Sequence, residues 1–437
     1  MAAILLYVPR VTNRLRYVID LIFGEQLGLS VEFTTNMDVY NSSEGPKFIY
    51  GDQAFEGDLF FKSTALLFER EIASQDLRPF QFGDTQAFFP VYHKLSALPF
   101  DVFAAVFYLV SRYEEYLPYV SDQHNRFEAS SSILSVIGML QKPIVNIWCM
   151  ALQTILAERF PKLKFKQKQY SFLPTYDIDA AWAYRQKGLY RTLGAYAKDL
   201  FQQDWAEIKQ RSAVLFGKQK DPFDTFGQQL QFQKQYKLRP AYFILFADYG
   251  VNDKNIPVRN TKFCELIRMI SDYADVGIHP SYNSFGNKTK LRHEISRLSQ
   301  VLNQDITMSR QHFLRMNLPA TYHTLIDFDI TDDYTMGYAT QPGFRAGIAD
   351  SFLFYDLDHD MVTPLRVHPF HLMDGTLRDY MQLNPAEAIR TAATIIAEVK
   401  AVNGCFVSLW HNETLSDKKR WSGWLEVYQK IIEMAIP

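Results

Sequence analysis

The chain has 437 residues, 47% hydrophobic and 22% charged, which suits two or three folded domains better than one ordinary globular unit. A net charge of −2 sets up no global field toward nucleic acid or an anionic membrane. The three cysteines (Cys149, Cys264, Cys405) lie far apart in apolar stretches, which excludes CxxC metal spacing, argues against a disulfide framework and makes them small buried hydrophobes.

The opening Ile4–Val8 reads as a strand. Its basic followers Arg10, Arg14 and Arg16 come after the apolar run, which is the wrong order for a signal peptide. Asn13–Phe23 has apolar residues at helical spacing behind a Thr/Asn cap. Leu29–Phe33, Lys47–Tyr50 and Leu59–Phe61 follow as short strands, giving a small α/β unit. Pro99–Leu117 predicts a helix that closes in Ser111-Arg-Tyr-Glu-Glu-Tyr116, and Ile144–Phe160 predicts another. The longest uncharged apolar run, Val102–Val110, is far below the ~20 residues a membrane helix needs, so no integral membrane segment and a soluble, cytoplasmic protein are expected. The lysine-alternating stretch Pro161–Lys168 is an exposed connector, with a domain on either side: 1–165 and 170–437. The rest of the chain is not basic, so the connector is not read as a nucleic-acid site.

From Tyr170 the pattern becomes a strand–helix array. Strands are predicted at Ser171–Tyr176, Ala241–Phe246, Asp275–Ile278, Met308–Phe313 and Phe406–Trp410. Helices are predicted at Phe263–Ala274, Lys290–Asn303, Pro385–Asn403 and Lys418–Ala435. Such repetition favours a barrel-like or doubly wound parallel sheet. Residues 184–225 interrupt the first unit as a polar, helix-prone insertion, a candidate lid.

In folds of this kind chemistry gathers at the carboxyl ends of strands. Asp177 and Asp179 end the first strand, i and i+2, an arrangement suited to one acid that takes a proton and one that binds a metal. His279 ends the third, with Ser281, Asn283 and Ser284 in the following loop. Arg310 and His312 alternate along the fourth, with Arg315 beyond. Trp410 and His411 end the fifth, where an imidazole could act as general acid and the indole could stack on a ring. Taken singly, each of these residues also fits a cap, a turn or a structural histidine. Their order across successive strand ends gives them weight together.

That order resembles the NodB-homology polysaccharide deacetylases, also called carbohydrate esterase family four, over about residues 170–437. The resemblance implies a distorted (β/α) barrel, here behind a smaller α/β domain of unknown role, and metal-assisted removal of acetyl groups from a saccharide. It also implies a divalent ion, usually zinc. By the same resemblance Asp177 is the base, Asp179 and His279 are metal ligands, Arg310 orients the base, and His411 protonates the leaving amine. Ser281, Ser284, Arg315 and Trp410 are expected at the substrate. The motif departs from the family in two places: Ile178 separates the acids, and Asn283 stands where a second histidine is usual. The third ligand is then Asn283, His312 or water, or the metal is held weakly or not at all. Two alternatives remain: a metal-independent C–N hydrolase on the same barrel, and a non-catalytic carbohydrate-binding or assembly protein.

Overall fold

The computed structural model describes residues 3–437. Thr12 caps the helix Asn13–Ile19 by accepting from the Leu15 N–H, and Leu15, Val18 and Ile19 are buried. Strands β1 (Ile4–Tyr7), β2 (Val31–Thr34), β3 (Lys47–Gly51) and β4 (Leu59–Lys62) form a parallel sheet in the order β2-β1-β3-β4. A small antiparallel hairpin, β5 (Phe80–Phe82) with β6 (Thr85–Ala87), was not expected.

The helix expected over Pro99–Leu117 spans only Val102–Val110, every residue of it buried. It breaks because Arg112 adopts a left-handed φ of 54° and turns its guanidinium inward to Glu114 and Glu115. The second expected helix is present as Ile144–Arg159. Of the cysteines, Cys149 is buried, whereas Cys264 and Cys405 are only half-buried; all three are free.

The second sheet comprises β7 (Ser171–Ile178), β8 (Ala241–Ile244), β9 (Asp275–Ile278), β10 (Met308–Ser309), β11 (Asp332–Asp333), β12 (Phe352–Asp356), β13 (Met361–Val367), β14 (Leu372–Met373) and β15 (Cys405–His411). Its order is β12-β13-β11-β10-β9-β8-β7-β15-β14, parallel throughout except where β12 runs against β13. The architecture is therefore mixed α/β. The sheet stays open among the described residues, with β12 and β14 as unjoined edges, where a barrel was expected. The two-residue β14 offers few ladder groups with which to continue the pairing.

The longer helices fall close to expectation, at Thr261–Ser271, Lys288–Leu302 and Pro385–Ala401, the last behind an Asn384/Glu387 capping box. The final helix starts late, at Trp424, because Gly423 takes a left-handed φ of 84°. The strand expected over Met308–Phe313 ends at Ser309 and gives way to a 3-10 turn with Phe313 at φ 60°, so Arg310 and His312 do not share a strand face. The insertion forms two helices, Leu189–Phe201 and Trp205–Leu215. One continuous hydrophobic cluster joins residues of both sheets. No helix of the described residues is long and apolar enough to cross a membrane.

Candidate functional site

The pleat of β7 puts Thr175 and Asp177 on one face, and Asp179 follows just past the strand end. Arg310, fully buried, donates through Nη1 to Thr175 Oγ1 (2.7 Å) and Asp177 Oδ1 (2.9 Å), and through Nε to the Tyr334 carbonyl (2.9 Å). The Phe243 ring lies 4.5 Å from its Cζ, a low-dielectric setting that strengthens the ion pair. The arginine thus occupies one oxygen of Asp177 and leaves the other, Oδ2, 3.7 Å from His279 Nε2.

Two buried imidazoles converge on Asp179. His279 leaves the end of β9, and its Nδ1 lies 2.5 Å from the Arg310 carbonyl. A carbonyl only accepts, so Nδ1 carries the hydrogen, and in the neutral ring the Nε2 lone pair points at Asp179 Oδ1, 3.3 Å away. His312 repeats the device: Nδ1 lies 3.0 Å from Asp253 Oδ1, and Nε2 lies 3.6 Å from Asp179 Oδ1. The ligand atoms of Asp179, His279 and His312 all lie within 4.8 Å of one another. The shared target, Asp179 Oδ1, is buried and has no hydrogen-bond partner. Two Nε2 atoms, which offer lone pairs once their protons are displaced by a metal, and a bare carboxylate oxygen, with both imidazoles fixed from behind, fit a divalent ion of the zinc type.

His411 approaches from β15, whose register sets it beside Asp177. Asp374 accepts from its Nδ1 (2.8 Å) and its backbone N–H (2.8 Å), and from the Thr414 hydroxyl. Its Nε2 reaches to 3.9 Å from Asp179 Oδ2. Burial opposes charge on His411, but the Asp374, Asp179 and Asp177 carboxylates outweigh it and raise its pKa well above the ordinary imidazole range. Burial likewise opposes ionisation of Asp179, yet the surrounding His312, His279 and His411 hold it well below the usual carboxylate value. For His312, Asp179 and Asp253 overcome burial and push the pKa up to about 9.

These groups line a cavity of about 210 Å³. Asp177, Asp179, His279, His312 and His411 all face it, and Arg310 stands behind Asp177. Other expected residues lie elsewhere. Trp410 is fully buried against Tyr428, on the opposite side of the strand from His411, and cannot stack on a ligand. The Ser281 hydroxyl is buried and donates to Glu294, and the Ser284 hydroxyl donates to the Ser281 carbonyl, so both brace the loop. Arg315 bonds the His124 and Tyr282 carbonyls and lies over the Tyr282 and Phe285 rings. Asn283 is exposed and does not line this cavity.

Sequence reasoning missed Asp253 and Asp374, which hold two of the histidines, and Thr175. It also missed Phe313, Tyr380 and Trp421, the rings that line the cavity, and Arg126, which enters from the first part of the chain. Asp374 follows the apolar pair Leu372–Met373, the same acid-after-strand signal that marked Asp177, and could have been found by it. Arg126 carries no local signal: it is held by Asp122 (2.7 Å) and donates to the Phe313 carbonyl (2.9 Å).

Residues 4–161 match a family model described as a family of unknown function (DUF7033). No curated protein sequence matches the chain. The chain is also similar to solved structures, three of which follow. A candidate polysaccharide deacetylase from Mycobacterium smegmatis is 17% identical, covering 62% of this chain and 86% of that one, with a TM-score of 0.41. A polysaccharide deacetylase from Bacillus cereus is 10% identical, covering 61% and 86%, with a TM-score of 0.30. A CE4 family pseudoenzyme from Bacillus anthracis is 10% identical, covering 61% and 62%, with a TM-score of 0.30.

Proposed function

We propose that this chain is a hydrolase that removes an acetyl group from an N-acetylated, or O-acetylated, saccharide with the help of a divalent metal, zinc being the ion best matched to two imidazoles and a carboxylate. The observation that carries this reading is the convergence of Asp179, His279 and His312 within 4.8 Å, flanked by Asp177 and by His411. Phe313, Tyr380 and Trp421 offer rings against which a sugar could stack.

Asp179, His279 and His312 would hold the ion, which when bound supplies Lewis-acid activation of the acetyl carbonyl and of water. Asp177, its Oδ1 pinned by Arg310, takes the proton of the attacking water on Oδ2. Arg310 itself makes no contact with substrate; it fixes the base. His411, kept protonated by Asp374, gives the Nε2 proton to the departing amine as the C–N bond breaks. Acetate leaves with the oxygen of the water, and the proton taken by Asp177 restores His411 through solvent.

The test is acetate release from N-acetylated oligosaccharides by the zinc-loaded chain. Asp177→Asn should lower the rate by about 10²-fold or more while the protein remains folded and still binds zinc. Chelation should abolish activity and added zinc should restore it. Activity that survives chelation would point to a metal-independent C–N hydrolase. Saccharide binding without any acetate release would make this a binding protein.

A further inference from the structure

The helix Leu189–Phe201 is turned inside out. Its polar side faces the protein: Asp199 is buried against Arg211 (2.7 Å), the Tyr196 hydroxyl bonds Ser212 (2.8 Å), and Arg191 donates to the Asn255 carbonyl (2.8 Å). Its apolar side faces solvent, with Leu189 70%, Leu193 56%, Leu200 56% and Phe201 90% exposed. At about 100° per residue these positions, with Tyr190 and Ala197, fall within a sector of about 120°. Exposed Trp205 and Phe216, at the two ends of the next helix, extend the apolar surface. A surface helix ordinarily points such a stripe at the core, and an exposed apolar patch of this extent marks an interaction site.

Charge identifies what covers it. Residues 185–224 carry eight Lys/Arg against five Asp/Glu, an excess of three positive charges in a chain whose total is −2. Lys198, Lys209, Lys218 and Lys220 of the same insertion are all exposed. A second copy of the chain would set this positive excess against itself, which disfavours self-association. An anionic bilayer matches both features: leucine and phenylalanine enter the acyl boundary, Tyr190 and Trp205 sit at headgroup level, and the lysines meet the headgroup charge. We propose that the 184–225 insertion docks this protein peripherally on an anionic lipid surface. Beneath the helix lies a cleft of about 870 Å³ that shares Glu413, Arg420 and Trp421 with the candidate active site, so the docking element borders the space leading to the chemistry.

Flotation of the full chain with lipid vesicles tests this. The expected result is binding to vesicles of phosphatidylcholine mixed with phosphatidylglycerol, weakened by salt and by omission of the phosphatidylglycerol. Leu193→Glu and Phe201→Glu should each weaken vesicle binding by about tenfold or more, with thermal stability and acetate release from a water-soluble substrate unchanged. Failure to float with either vesicle, or flotation of the variants equal to the wild type, would overturn the proposal. Equal binding to both vesicles would overturn the anionic assignment. Concentration-dependent self-association abolished by the same substitutions would instead assign the face to a second copy.

Discussion

Each of four inward-facing imidazoles is fixed through Nδ1, but not in the same sense. His279, His312 and His411 donate from Nδ1, to the Arg310 carbonyl, Asp253 and Asp374, and present Nε2 to the cavity. His371 does the reverse: its Nδ1 accepts from the Val407 N–H at 3.2 Å, and burial pushes its pKa down to about 3. The folded chain therefore refuses a proton that the unfolded chain binds near pH 6.5. That contribution to stability is complete above about pH 6.5 and is lost as pH falls toward 3, with roughly 2 kcal/mol gone by about pH 5. His371→Phe should flatten the pH dependence of urea midpoints between neutrality and about pH 5. A second prediction concerns Asp253. On the proposed reading, Asp253→Asn removes the charge behind His312 and should weaken zinc affinity about 10- to 100-fold in competition with a chromophoric chelator, with little change in unfolding temperature. Asp177, Asp179, His279 and His411 could be found in the sequence because each stands at or next to the end of an apolar strand. Asp253 could not, since its reach to His312 across 59 residues exists only in the folded chain. The expectation for Trp410 failed on parity: if His411 faces the cavity, the pleat sends its neighbour to the other side.

At the scale of elements, the central strands depend on close approach. In β9 a Cβ on Gly277 would lie 2.7 Å from the Met308 carbonyl oxygen and 2.9 Å from the Phe243 ring. Backbone on one side and a buried ring on the other cannot both yield, so Gly277→Ala should displace β9 or β10 and cost about 1–3 kcal/mol in urea unfolding. Because His279 leaves the same strand two residues later, acetate release should, on the proposed reading, fall with stability; a fully stable variant would show that the packing relaxes. Long amphipathic helices were legible to within a few residues, since their period is written repeatedly in the sequence. Two-residue strands such as β10, β11 and β14 carry no period to read. Their partners create them, and the over-long strand expected through Arg310 reflects this. The early stop of the Val102–Val110 helix was hidden for another reason: Arg112 leaves helical geometry to satisfy charges that local propensity does not register.

For the whole molecule, the question is what joins the first part of the chain to the sheet that carries the site. The Ser111–Tyr116 motif provides the joint. Glu115, 3% exposed, accepts from Arg112 Nε (2.8 Å) and from Arg345 Nε (2.9 Å) and Nη2 (2.6 Å), while Glu114 accepts from Arg112 and from Ser132. Arg112 and Arg345 together outweigh burial and hold the Glu115 carboxyl below its ordinary pKa. Glu115 and Arg345 are 230 residues apart, so the two strand–helix arrays were visible in the sequence but the seam between them was not. Breaking such a cluster on one side is costlier than never having built it, because an unpaired buried charge remains. Glu115→Ala leaves the buried Arg345 guanidinium without its carboxylate, Arg112 keeping only Glu114, and should cost about 3–5 kcal/mol in urea unfolding. The damage should reach the site, since Arg345 also donates to the Gly337 carbonyl, two residues before Ala339 on the cavity wall. Arg126 enters the same cavity from the first part of the chain. On the proposed reading, Glu115→Ala should therefore lower acetate release even at temperatures where the variant is fully folded, whereas a conservative Glu115→Asp should recover part of both losses. A change below about 0.5 kcal/mol in Glu115→Ala would mean that the hydrophobic cluster shared by the two sheets holds the joint without help from these charges.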